Sequence, residues 1–218
     1  MGKSKLSFLL LKGIRMSGIF ITIEGPDGSG KSTQVELLQK YLKAKGKNIV
    51  ITREPGGTRI GEMIRNIILD RENTEMDYVA EALLYAASRA QHVEQIIKPA
   101  LLKGDVVICD RYVDSSIVYQ GVGRGLGESV SIINEIAIKG CMPDITFLFK
   151  LDPSIGKGRI KAEDRLEMEK MEYHNKVYEG YLELEKRYPE RIKGIDASRE
   201  IHVIHEEIKK YIEELIIK

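Results

Sequence analysis

The chain has 218 residues, 43% hydrophobic and 31% charged, with a formal net charge of +1. This balance excludes a disordered chain and a protein held to nucleic acid by bulk positive charge. No apolar run approaches the ~18 residues of a membrane span, and two cysteines, Cys109 and Cys141, make neither a metal motif nor a disulfide framework. The expected setting is a reducing cytoplasm, with no nucleic-acid or membrane partner.

Residues 1–15 carry a short apolar patch at 8–11, followed by KGIR. A signal peptide needs an apolar stretch of roughly 7–15 residues and a small-residue cleavage site. The segment reads as an extension ahead of one domain spanning 16–218. GIFITIEG (18–25) is an apolar strand ending in glycine. From 31 to 45 a helix is expected, because Val35, Leu37, Leu38, Tyr41 and Leu42 recur at spacings of three and four and Gly46 stops it. NIVITRE (48–54) is a second strand, closed by PGG. Helical segments near 58–69 and 75–98 follow, the second ended by Pro99. DVVICD (105–110) is a third strand, helices lie within 112–139, and DITFLFKL (144–151) is a fourth strand. A charged helix spans 163–187, IKGID (192–196) is a short fifth strand, and an amphipathic helix closes the chain over 199–217.

Strands this apolar need cover on both sides. Strand–helix alternation implies parallel pairing through right-handed crossovers. The expected fold is α/β: a five-stranded parallel sheet of the P-loop NTPase type with helices on both faces. Ligands of such sheets gather at the carboxyl ends of the strands. The loops after Glu24, Arg53, Cys109 and Leu151 should therefore face one site.

The first of these loops carries the chemistry. Gly25-Pro26-Asp27-Gly28-Ser29-Gly30-Lys31-Ser32-Thr33 matches G-x-x-x-x-G-K-[ST] between a strand and a helix. Glycines let the backbone wrap a phosphate chain, and the helix N-terminus adds partial positive charge. Lys31 should reach the β and γ phosphates of ATP, and Ser32 should hold Mg²⁺. Asp110, at the tip of the third strand, is a second Mg²⁺ candidate, directly or through water. It is also suited to capping the following helix. Rival classes leave no trace: NKVY (175–178) lacks the aspartate of a guanine motif, and L-S-G-G-Q does not occur. Arginines placed after strand ends suit a dianionic acceptor, because a guanidinium can grip two phosphate oxygens at once.

With the P-loop, four stretches carry a close resemblance: TREPGGT (52–58), EMIR (62–65), ALLYAASRAQH (82–92) and DRYVDSSIVYQGVGRG (110–125). From about Gly18 to the C-terminus the chain resembles the thymidylate kinase family. The resemblance implies transfer from ATP to dTMP with Mg²⁺, and a homodimer formed through helices on one side of the sheet. It implies that Arg65 and Arg111 grip the acceptor phosphate. Tyr85 stands where relatives stack an aromatic ring on thymine, many of them a Phe. Arg89 would bind a base carbonyl, and the spacing from Tyr85 puts both on one helix face. Ser116 and Gln120 would complete the base edge. Tyr119 would sit against the sugar near C2′, Asp27 would contact its 3′ hydroxyl, and Glu54 would lie near the metal and phosphates. Each has a plainer reading, as core, surface pairing or a helix end.

One branch of the family carries an arginine inside the P-loop. Here Asp27-Gly28-Ser29 has none, so the basic residues should lie in a lid at about 153–166. DPSIGKGRIKAEDRLE (152–167) supplies Lys157, Arg159, Lys161 and Arg165, with Arg159 favoured as the catalytic cation and Arg165 next; a charged, solvated segment is the alternative. DASRE (196–200) matches the family's adenine edge and brings in Asp196. The catalytic set is thus Lys31, Asp110, Arg111 and Arg159. Two other functions compete: a kinase for another nucleoside monophosphate, and a P-loop ATP-binding regulator without transfer activity. Retention of Lys31, Asp110 and Arg111 together argues against the regulator.

Overall fold

A computed structural model describes residues 17–159 and 164–217. The readings made for residues 1–15 and for Lys161 fall outside the described residues. The five strands are β1 (Ile19–Glu24), β2 (Ile49–Arg53), β3 (Val106–Asp110), β4 (Ile145–Lys150) and β5 (Ile192–Asp196). All pair in parallel, in the order β2-β3-β1-β4-β5, so the expected α/β class holds.

Alternation along the strands divides the core into layers. Ile21, Ile23, Ile108, Phe147 and Phe149 face one side, where α1 (Lys31–Ala44) adds Leu38 and Leu42 and α9 (Ile201–Ile217) adds Ile204, Ile208 and Ile212. Phe20, Val107 and Cys109 face the other side, against Val93, Ile97, Leu101 and Tyr112. Cys109 is fully buried in that layer, as expected for a small core residue. A third cluster joins Leu148 to Val177, Tyr181 and Leu184 of α8 (Met171–Arg187) and to Tyr85 and Tyr119.

Two element boundaries differ from expectation. Pro99 does not end its helix. After α3 (Tyr78–His92) a π-helical turn, Val93–Ile97, leads into α4 (Lys98–Leu102). There Pro99 stands in the first turn, where its missing N–H is not needed by the ladder. The charged helix also begins late, at Met171 rather than near 163. The Asp164 carboxylate accepts the N–H groups of Leu166 and Glu167, both at 2.9 Å, and holds a turn instead. The remaining helices are α2 (Arg59–Leu69), α5 (Val113–Ser116) running into a second π-helical turn (Ile117–Gly123), α6 (Glu128–Ile138) and α7 (Pro153–Arg159).

Candidate active site

The P-loop links β1 to α1 through Gly25 (φ 133°), Gly28 (φ 74°) and Gly30 (φ 87°), conformations that favour glycine. Lys31 is buried, and its Nζ donates to the carbonyls of Gly25 (3.1 Å) and Pro26 (2.8 Å). Burial, then the charge of Arg111, push its pKa below the usual lysine value. Ser32 and Thr33 are exposed at the start of α1. A side chain at Gly28 would meet the carbonyl of Gly156 at 2.4 Å, and one at Gly156 would meet the carbonyl of Asp27 at 2.3 Å. The backbone of α7 therefore presses directly on the P-loop. From its end, Arg159 Nη1 donates to the Gly28 carbonyl at 3.2 Å.

Beside the loop opens a cleft of about 170 Å³. Asp27, Glu54, Arg65, Tyr85, Arg89, Asp110, Arg111, Ser116, Tyr119 and Gln120 all line it. The acceptor residues named from the sequence thus come together at the carboxyl edge of the sheet. Arg111 holds the centre, with φ 64° at the end of β3. Its Nη2 donates to Asp27 Oδ1 at 2.7 Å, its Nη1 reaches Ser115 Oγ and the Tyr181 hydroxyl at 3.3 Å, and its guanidinium lies 5.2 Å from the Tyr119 ring centre. Burial opposes the charge on Asp27, but Arg111 and Lys31 outweigh it and hold the carboxyl well below the usual range. Lys31 lies 3.6 Å from that same Asp27 oxygen. Arg65 Nη1 donates to the Pro55 carbonyl at 2.9 Å.

One face of α3 carries Glu81, Tyr85 and Arg89, four residues apart, all buried. Burial keeps the Tyr85 hydroxyl protonated far above its ordinary range, so the ring is a neutral surface. Arg89 is 1% exposed and nearly saturated. It donates to Glu54 Oε2 (2.7 Å), Ser116 Oγ (2.9 Å), the Tyr112 carbonyl (2.9 Å) and Asn134 Oδ1. The second Glu54 oxygen lies 2.8 Å from His92 Nδ1. Glu54 lines the cleft, and both its oxygens are engaged in orienting these two side chains.

Arg165 is committed elsewhere than to the P-loop. It donates to the Ile68 carbonyl (3.2 Å) and to Glu81 Oε2 (2.5 Å), tying the segment before α8 onto α2 and α3. Lys157 Nζ donates to the Glu169 carbonyl at 2.8 Å. Asp196 ends β5 exposed, its carboxylate accepting from Ser198 N (3.0 Å) and Oγ (2.6 Å), and it lies outside the cleft. Asp110 Oδ1 is buried without a hydrogen-bond partner. Among the described residues no cluster of three or more His, Cys, Asp or Glu could hold a metal ion.

Sequence reasoning missed several members of the site. Arg53 and Ser115 line the cleft. Arg53 ends a strand in the quoted TREPGGT stretch, so its position was a usable signal. Asp164 and Leu166, inside the stretch read as a lid for its basic residues, and His174 on α8 also line the cleft, and no local pattern marks these three as site residues. Glu24, at the tip of β1, accepts from Tyr112 N (2.7 Å), Ser115 Oγ (2.6 Å) and the Tyr181 hydroxyl (2.9 Å), and so holds the Arg111 loop. Burial, then the charge of Asp114, push its carboxyl up to about 7.

Comparison with known proteins agrees with this geometry. A family model described as thymidylate kinase matches residues 23–208. A thymidylate kinase of Caldanaerobacter subterraneus subsp. tengcongensis is 53% identical over 204 residues, covering 92% of this chain and 98% of that protein. One from Exiguobacterium sp. is 50% identical over 200 residues, covering 90% and 94%. The crystal structure of thymidylate kinase from Ehrlichia chaffeensis superposes with a TM-score of 0.74 at 36% identity, covering 90% of this chain and 98% of that one. An arginine-rich cleft beside a P-loop and these matches lead to one assignment: the chain belongs to the thymidylate kinase family, among the P-loop nucleoside monophosphate kinases.

Proposed function

We propose how this thymidylate kinase phosphorylates dTMP. ATP lies along the P-loop with its γ-phosphoryl group toward the cleft, and dTMP fills the cleft with its phosphate toward Arg111 and Arg65. The observation that carries this reading is Asp27. One P-loop carboxylate contacts both Lys31 and Arg111, which supports donor and acceptor phosphate positions lying side by side.

Binding exchanges internal partners for substrate oxygens. Lys31 leaves the Gly25 and Pro26 carbonyls for the transferring group, and Arg111 turns from Asp27 to the acceptor phosphate. The freed Asp27 accepts the sugar 3′ hydroxyl. Tyr85 stacks on thymine, Arg89 directs its remaining Nη2 hydrogen to a base carbonyl, and Tyr119 crowds the 2′ position. Arg159 adds positive charge above the P-loop. No covalent intermediate is needed, because positioning and electrostatics supply the rate. Ser32 and Asp110 are the residues that would hold Mg²⁺, and the unpartnered Asp110 Oδ1 fits a cation or its bound water. When bound, Mg²⁺ neutralises phosphate charge.

The protein acts as a homodimer. α3 packs between α2 and α6, and these helices leave Ile60, Met63, Ile67, Leu83, Ile132 and Ile136 exposed, an apolar surface suited to a second copy. Among the described residues no helix is long and apolar enough to cross a membrane, and a cytoplasmic setting suits the buried free thiols of Cys109 and Cys141. A coupled ADP-release assay with ATP, Mg²⁺ and each nucleoside monophosphate in turn tests the reading. Release strongly favouring dTMP is expected, and preference for AMP, CMP or dCMP would overturn it.

A further inference from the structure

Gln120 lies in the cleft, buried, on the π-helical turn that follows α5. Its Nε2 donates to Glu81 Oε1 at 2.9 Å. Glu81 is itself tightly partnered. It has no solvent exposure, and its carboxylate accepts from Arg124 Nε (3.3 Å) and Nη2 (3.2 Å) and from Arg165 Nη2 (2.5 Å). Arg124 is in turn clamped between the rings of Tyr78 and Tyr173, with centre distances of 4.6 and 4.7 Å.

A carboxylate between two guanidiniums offers only acceptors. The nitrogen of the Gln120 amide must therefore be the atom that faces it. A free glutamine amide is close to isosteric about its end and can present oxygen or nitrogen to a ligand. Here one orientation is excluded, and the carbonyl Oε1, which makes no hydrogen bond to any described residue, is the end left for the cleft.

We propose that Glu81 sets the pyrimidine specificity of this enzyme, as a positioning residue that locks the Gln120 amide with its carbonyl toward the N3 edge of the acceptor base. The inference rests on the proposed placement of dTMP, with Gln120 on the base edge. Thymine and uracil carry N–H at position 3 and donate to a carbonyl. Cytosine carries a lone pair there and meets a second acceptor. The discrimination therefore lies in a residue that need not touch the base. It is separate from the contact of Arg89 with the carbonyl at position 4.

The test uses the whole chain and compares kcat/KM for dTMP, dUMP and dCMP. Glu81→Asp keeps the charge that Arg124 and Arg165 need but draws the carboxylate one methylene away from Gln120. The dTMP-to-dCMP ratio should fall by about tenfold or more, mainly through a gain with dCMP, as a locked acceptor becomes free to turn. The dTMP-to-dUMP ratio, which reads the methyl group, should stay within about twofold. A loose lid anchor would slow all three acceptors alike and leave both ratios unchanged. In a Gln120→Met background the same substitution should no longer move the dTMP-to-dCMP ratio.

The outcomes separate the two layers of argument. If Gln120→Met alone leaves dTMP and dCMP unaffected, Gln120 is not on the base edge and the placement of dTMP fails. If Gln120→Met weakens dTMP but Glu81→Asp leaves the ratio intact, or shifts it equally in the Gln120→Met background, the lock is refuted while the placement stands. A measurement on the unaltered protein guards against a variant that does not fold. The Gln120 side-chain amide protons should be protected from solvent exchange both before and after dTMP is added. Exchange at the rate of a free amide before dTMP is added would overturn the lock.

Discussion

Replacing Arg89 by methionine should damage the fold as much as the chemistry. Methionine matches the length of the stem but removes donors from Glu54, Ser116, Asn134 and the Tyr112 carbonyl. The costly loss is at Glu54, whose side chain is 2% exposed against 1% for Arg89. Losing one partner of a buried pair strands the other charge, at about 3–5 kcal/mol, and a chain of this size moves about 2–4 °C per kcal/mol, so the melting temperature should fall by about 6–20 °C. Thermal unfolding by circular dichroism reads this directly. The double variant Arg89→Met/Glu54→Gln should recover several degrees, because the stranded charge is then absent. If Arg89→Met melts within about 2 °C of the parent, or if the double variant is no better than the single, the stranded-charge argument is refuted.

Lys31→Ala should lower kcat by about 10³ or more while dTMP still binds; a variant retaining a tenth of parental activity would remove Lys31 from the transfer step. Arg65→Ala should weaken dTMP by about 1.5–3 kcal/mol with ATP affinity unchanged in titration calorimetry, and equal loss of both ligands would move this arginine to the donor side. Arg159→Ala should lower kcat without changing the dTMP Kd, whereas Arg165→Ala should lower the melting temperature because it releases Glu81; the reverse pattern would exchange their roles. Glu24, lifted above its ordinary 4.5 to about 7 by burial and Asp114 against opposing bonds from Ser115 and Tyr181 and the charge of Arg111, stabilises the fold fully below pH 4.5, and that contribution is lost as pH rises through 7. Glu24→Gln should therefore melt closer to the parent at pH 5 and gain on it at pH 8, and a difference that does not vary with pH would contradict the lifted carboxyl.

The sheet was legible because its strands are short apolar runs bounded by glycine, asparagine or aspartate, and their alternation with helices implies parallel pairing; the order β2-β3-β1-β4-β5 depends on long-range pairing that no local pattern states. The phosphate cradle was legible for a related reason: its residues are neighbours in the chain. What escaped was long-range or depended on a compensating distortion. Pro99 looked like a helix terminator, and only the π-helical turn before it lets the helix continue. Arg165 looked like a lid cation, but its carboxylate partner stands 84 residues away on α3. Glu81 carries no sequence signal of its own, yet it has no exposure. A charged residue of this kind is missed from sequence because its burial is decided by partners that local pattern cannot reveal.

The Asp27 carboxylate gives the site its own counter-ion. Arg111 and Lys31 are not bare cations waiting for any passing anion, since each already has a negative neighbour at 2.7 and 3.6 Å. A monoanionic visitor exchanges one carboxylate for another and gains little from the swap. On the proposed placement, a nucleoside monophosphate would bring a second charge and a sugar hydroxyl that re-employs the displaced Asp27, which would favour it over a monoanion. Inhibitor design meets the same threshold. A carboxylate standing in for the phosphate must compete with Asp27 on equal terms, whereas a neutral compound that leaves the Asp27–Arg111 pair closed and occupies only the base end of the cleft avoids that contest.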